Sequence, residues 1–168
     1  MWIVTHTLAP VVTLAAAETV ALEARKKRIF DARHYFLFAL SGALPDVLYP
    51  HLSLEARFSS WTHTIWFLIG FIPVATWVAR RFANSRRVLT ALLMTFSCTL
   101  HLFCDAIAGG IVWLHPASDS VIGRYIVPGR WWFKLDLICL GASILLLAWL
   151  KIRAVRLAQK KTSRSDDS

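Results

Sequence analysis

Residues 88–105 read VLTALLMTFSCTLHLFCD, an apolar run that closes on two polar side chains four apart, His101 and Asp105. Residues four apart in an α-helix share a face, one turn above each other. A carboxylate on such a run costs about 2.5–3.5 kcal/mol if the run spans a bilayer, so Asp105 needs a partner there. Imidazole and carboxylate at this spacing offer two ligands to one divalent cation. The same pair can instead hydrogen-bond a neighbour and cap the helix end in headgroup water. The surrounding chain decides between these two readings.

The 168 residues are enough for one domain, and 57% of them are hydrophobic, with a mean hydropathy of +0.53. Long apolar blocks separated by basic residues are the pattern of an integral membrane protein. The formal net charge of +9 raises the question of nucleic acid. However, the basic residues flank apolar runs rather than forming a polar domain, so a nucleic-acid partner is not expected. Cys98, Cys104 and Cys139 all lie inside apolar runs without a Cys-x-x-Cys spacing, and read as small buried helix residues. Ala15-Ala16-Ala17 resembles a cleavage site but no basic region precedes it, so the first segment is read as retained.

Five segments follow in order. The first runs from about Trp2 to Leu22, carries His6 and Pro10, and is interrupted by Glu18. The second, about Tyr35 to Tyr49, ends in Gly42-Ala43-Leu44-Pro45-Asp46. The third opens at Trp61-Thr62-His63-Thr64 and closes at Ala79, and the fourth is the run from Val88. After Gly109-Gly110 comes a loop, Ile111 to Lys134, with Trp113, Trp131 and Trp132, which reads as a lid, a partner surface or an interfacial helix. The fifth segment is about Leu135 to Leu150. Residues 1–150 are therefore expected to form one membrane-embedded, all-α, polytopic helical bundle, and 151–168 a basic, disordered tail.

Lys and Arg fall into two groups. Fifteen lie at Arg25 to Arg28, Arg33, Arg80, Arg81, Arg86, Arg87 and from Lys151 onward; only Arg57, Arg124, Arg130 and Lys134 lie in the alternate connections. Five spans with the N-terminus outside and the C-terminus cytoplasmic satisfy the positive-inside rule without exception. His6, Asp46 and His63 then sit at the outer ends of three segments. A rise of about 1.5 Å per residue places His101 and Asp105 roughly 20 and 26 Å up a core about 30 Å thick. Five polar groups from four segments thus reach one level in the outer third of the membrane.

Three imidazoles and two carboxylates at one depth can bind one or two divalent cations, and mixed N/O ligation suits zinc among others. A bound divalent ion lowers the pKa of its water, and a carboxylate not used as a ligand can act as general base. His6, Asp46, His63, His101 and Asp105 are the expected metal ligands, with Asp46 and Asp105 the candidate catalytic acids. Thr5, Thr62 and Thr64 flank two of the histidines and can support them by hydrogen bonds. His51 and His115 are alternative ligands in outer loops. Arg124 and Arg130 can hold an anionic headgroup or serve as ordinary interfacial arginines, and the tryptophans read as an aromatic belt. Asp31 and Asp136 stand at helix starts, where the dipole favours an acid.

Taken together, Thr5-His6, Gly42-Ala43-Leu44-Pro45-Asp46, Thr62-His63-Thr64 and His101-Leu102-Phe103-Cys104-Asp105 with Gly109, Gly110 and Pro116 resemble the YdjM-type family of inner-membrane, metal-dependent hydrolases. The likeness covers about residues 1 to 120. It implies that His6, Asp46, His63, His101 and Asp105 are the metal and catalytic positions, with zinc the expected ion. A more remote similarity is to zinc-dependent phospholipase C and P1-type nucleases, which hydrolyse phosphoesters. The chain departs from the family at Leu48, where members often carry a second acid, and at Phe58-Ser59, where they often carry a His-Arg pair. The expected function is hydrolysis of a lipid or lipid-linked phosphoester at the outer, periplasmic face of the inner membrane. The alternative is a non-enzymatic membrane protein with a structural or sensory metal site. An open coordination position would separate the first from the second.

Overall fold

Every apolar run of the sequence is a helix in the computed structural model, which describes residues 3–50, 54–83 and 86–166. In chain order these are α1 (Ile3–Arg25), α2 (Ala32–Leu48), the short α3 (Leu54–Phe58), α4 (Ile65–Phe82), α5 (Arg87–Ile107) and α6 (Trp132–Asp166). Single 3-10 turns precede α4 (Trp61–His63) and α6 (Gly129–Trp131). Among the described residues there is no β-strand, only two isolated bridges, Ala108 with Tyr125 and Ile111 with Ile122. The protein is an all-α bundle, as its apolar runs imply.

Among the described residues, four helices, α1, α4, α5 and α6, are long and apolar enough to cross a membrane. The expected fifth span corresponds to α2, whose 17 residues are fewer than the ~20 a perpendicular crossing takes. It nevertheless packs in the middle of the bundle, between α1 and α5; α6 lies on the far side of α1, and α4 on the far side of α5. The shared core is built from Val11, Leu14, Leu37, Phe38, Phe71, Met94 and Cys98, with Leu150 reaching in from α6. Large apolar side chains such as Trp77, Leu92 and Leu145 face outward. A bundle apolar on the outside as well as the inside fits lipid as its solvent.

Small residues let α1 and α2 approach closely. A Cβ at Gly42 would stand 2.6 Å from the His6 carbonyl oxygen and 2.9 Å from Pro10 Cγ. Gly42→Ala is therefore expected to force the two helices apart and to cost ~1–3 kcal/mol. Thermal unfolding in detergent reads this, and an unchanged midpoint would contradict the close crossing.

The ends of the bundle differ. At one end Glu18, fully buried on α1, accepts hydrogen bonds from Ile29 N (2.8 Å), Phe30 N (2.9 Å) and Arg28 Nη2 (3.3 Å), and from the Tyr35 hydroxyl. The residue that interrupts the first span in sequence is the anchor of the α1–α2 connection. Asp31 caps α2, accepting from Arg33 N and His34 N, which is the helix-start role expected of it. The segment from Lys151 continues α6 as far as Asp166. Its Lys, Arg, Ala, Leu and Gln are strong helix formers, and Arg153 makes a bidentate ion pair with Glu23 of α1 at 2.6 and 2.9 Å.

At the other end, the connection from α5 to α6 folds back on the helix it leaves. Arg124 N donates to Ala106 O, while Ile126 N and Val127 N donate to Ile107 O; these carbonyls at the end of α5 lack helical partners. Gly123, at φ 127°, lies so close that a Cβ would stand 2.1 Å from Ala106 O. Ile65 N, at the start of α4, donates to Trp113 O. The loop is thus stitched to two helix ends by backbone hydrogen bonds.

Candidate metal centre

His101 and Asp105 point to one side of α5, four residues apart as the sequence implies, and both are buried. Asp46 comes from the last turn of α2, just after Pro45, and His63 from the 3-10 turn before α4. The four meet at one end of the bundle. His63 Nε2 lies 3.2 Å from His101 Nε2, 3.2 Å from Asp105 Oδ2 and 3.4 Å from Asp46 Oδ1. His101 Nε2 lies 3.3 Å from Asp105 Oδ2 and 3.6 Å from Asp46 Oδ1. Bonds of about 2.0–2.2 Å at the tetrahedral angle put neighbouring ligand atoms roughly 3.3–3.6 Å apart. Five of the six edges of this tetrahedron are therefore close to those of a zinc-sized site, and the sixth is no longer than 4.8 Å.

The hydrogen bonds behind the imidazoles set their tautomers. His101 Nδ1 donates to the Gly42 carbonyl at 2.6 Å, which leaves Nε2 with a lone pair. Thr62 Oγ1 donates to the Pro45 carbonyl at 2.9 Å, so it can only accept from His63 Nδ1, 3.1 Å away. Ser60 Oγ, 2.7 Å from Thr62 Oγ1 and 3.0 Å from His63 Nδ1, donates to the first and accepts from the second. His63 Nε2 is then also a lone pair. Two such lone pairs face each other across 3.2 Å, which is stable only with a proton or a metal ion between them. Two carboxylates, Asp105 and Asp46, also face His63 Nε2, at 3.2 and 3.4 Å. The site attracts positive charge.

His6 is placed differently from the other expected ligands. Its Nε2 lies 3.3 Å from Asp105 Oδ1, the oxygen turned away from the four-atom centre, and its ring packs on His101 with centroids 4.2 Å apart. It packs against His101 and Asp105 and is not among the four residues whose candidate ligand atoms meet. Of the flanking threonines, Thr62 supports His63 as expected. Thr64 instead caps α4, accepting from Phe67 N. Thr5 donates from its backbone N (2.9 Å) and its hydroxyl to Asp136 Oδ1, so that acid at the start of α6 ties α6 to α1.

Other groups named from the sequence stay outside the centre. His115 pairs with Asp119 at 3.2 Å, and His51 lies outside the described residues. Arg124 and Arg130 are exposed, as are Trp61, Trp66 and Trp131 at the same end of the bundle. The group that sequence reasoning missed is Arg57 on α3. It is 2% exposed, and its Nη1 donates to Asp105 Oδ1 at 2.6 Å. In sequence it counts only as one basic residue in a connection, with no periodicity or spacing to single it out.

A family model described as YdjM inner membrane protein matches residues 1–165, taking in the last helix, which the sequence resemblance did not reach. No curated protein and no solved structure matches the chain, so the remoter likeness to phospholipase C and P1-type nucleases carries no weight.

Proposed function

We propose that this chain, which belongs to the YdjM inner membrane protein family, is a metal-dependent membrane hydrolase acting on a lipid or lipid-linked phosphoester. The observation that carries this reading is the set of four candidate ligand atoms, two imine nitrogens and two carboxylate oxygens, with five of their six separations at tetrahedral edge distances. When bound there, a divalent ion such as zinc supplies a Lewis acid and a water of lowered pKa. His63 and His101 are presented as neutral ligands by Ser60, Thr62 and Gly42. Asp105 keeps Oδ2 on the centre because Arg57 and His6 hold Oδ1. Asp46 is the most open of the four, with a side chain 15% exposed against 2% or less for the others, so it is the corner at which a water can enter and, once displaced from the ion, the carboxylate that would take its proton.

With α2 counted as a fifth span, the basic residues of the α1–α2 and α4–α5 connections lie at the end opposite the centre, and the positive-inside rule turns the centre toward the periplasm. In this reading the centre sits at headgroup level, where a lipid phosphoester can reach it. A second reading, a structural or sensory metal site, is favoured by one feature: protein atoms occupy all four corners, as in structural zinc sites. Purified, zinc-supplemented protein assayed on a panel of phospholipids tests both. Hydrolysis is expected in the wild type and absent from Asp105→Ala. Activity that survives the substitution removes this site from the chemistry, and a metal-loaded wild type inert on every substrate favours the structural reading.

A further inference from the structure

Arg57 carries more than its pair with Asp105 requires. Its Nε and Nη2 are buried and meet no hydrogen-bond acceptor among the described residues. Buried guanidinium N–H groups without acceptors are costly, and they mark a place where something else is meant to sit. The charge count agrees. Asp46 and Asp105 together balance a divalent ion, so with neutral histidines the loaded centre keeps the Arg57 charge in excess, in a buried setting. A neutral ester or amide would leave that charge unmatched.

We propose that Arg57 anchors a phosphoryl group: Nε and Nη2 take phosphoryl oxygen, and a remaining oxygen of the same group faces the four-ligand centre. A phosphoryl group has the oxygens and the negative charge to meet both sides at once, and the planar guanidinium fork suits it better than a point charge would. This assignment rests on the metal centre proposed above and adds to it the residue that selects an anionic phosphoester. The exposed Arg124 and Arg130 are not required for it.

The test is equilibrium dialysis of inorganic phosphate against zinc-supplemented wild type, Arg57→Gln and Arg57→Lys, with metal content measured on the same samples. At saturating zinc all three are expected to hold the metal, the two variants with lower affinity because Arg57 also holds Asp105 Oδ1. Phosphate binding should weaken about 10- to 100-fold in Arg57→Gln, the worth of a charge-assisted hydrogen bond, and less in Arg57→Lys. Repeating the wild-type measurement in nanodiscs of phosphatidic acid or phosphatidylcholine identifies the source: competition by phosphatidic acid alone points to a lipid headgroup, and none to a soluble phosphoester. Equal phosphate affinity in wild type and metal-bearing Arg57→Gln overturns the proposal, as does a metal-loaded wild type that binds no phosphate. Loss of metal from both variants reduces Arg57 to a positioning group for Asp105. Absence of metal from the wild type is a separate failure, that of the centre itself.

Discussion

Detergent-purified protein is expected to carry about one equivalent of zinc or another transition metal, and the His63→Ala/His101→Ala variant essentially none. The two imidazoles supply two adjacent corners of the tetrahedron, 3.2 Å apart, and both nitrogen ligands. What remains after their removal is Asp46 and Asp105, two hard oxygen donors that hold a borderline-soft ion poorly. Changes behind a ligand already cost roughly 10–100-fold in affinity, so loss of two ligands should exceed that range. Elemental analysis of wild type and variant purified side by side measures the difference. Metal retained in full by the variant would place it elsewhere on the molecule. A wild type without metal even after supplementation would sink the hydrolase reading and leave a polar cluster of another kind.

The largest effect on stability is expected at the opposite end of the bundle. Glu18 has no exposed surface, yet it accepts from two backbone amides, the Arg28 guanidinium and the Tyr35 hydroxyl. Glu18→Ala leaves the Ile29 and Phe30 amides and the Tyr35 hydroxyl without their acceptor, each a loss of about 1–3 kcal/mol, while the partly exposed Arg28 can turn to water. Glu18→Gln keeps an acceptor for the amides and loses the charge, so its cost should be smaller, about 1–3 kcal/mol. Denaturation in detergent reads both. Because Glu18 lies near the end of α1 remote from His6, metal content should be unchanged in the folded Gln variant. A Glu18→Ala protein within about 1 kcal/mol of wild type would show that the connection does not depend on this carboxylate.

The helical class needed nothing beyond the sequence. Apolar runs of about twenty residues have one way to satisfy their backbone groups in lipid, and the Lys and Arg between them mark where each run ends. The level of the site was legible for the same reason: rise per residue is a one-dimensional property, so Asp46, His63, His101 and Asp105 fall at one height once their helices alternate in direction. Tertiary structure decided everything that depends on how the helices are rotated and packed. It set His6 beside Asp105 and His101 and outside the four candidate ligand atoms, on a helix held close to α2 at Gly42. It turned Glu18 from an interruption into an anchor, because the loop that satisfies it folds back onto α1. It brought Arg57 to Asp105 across 48 residues, a pairing that no periodicity encodes. Local pattern specifies which face of a helix is polar, and only the packing of neighbours specifies what that face meets.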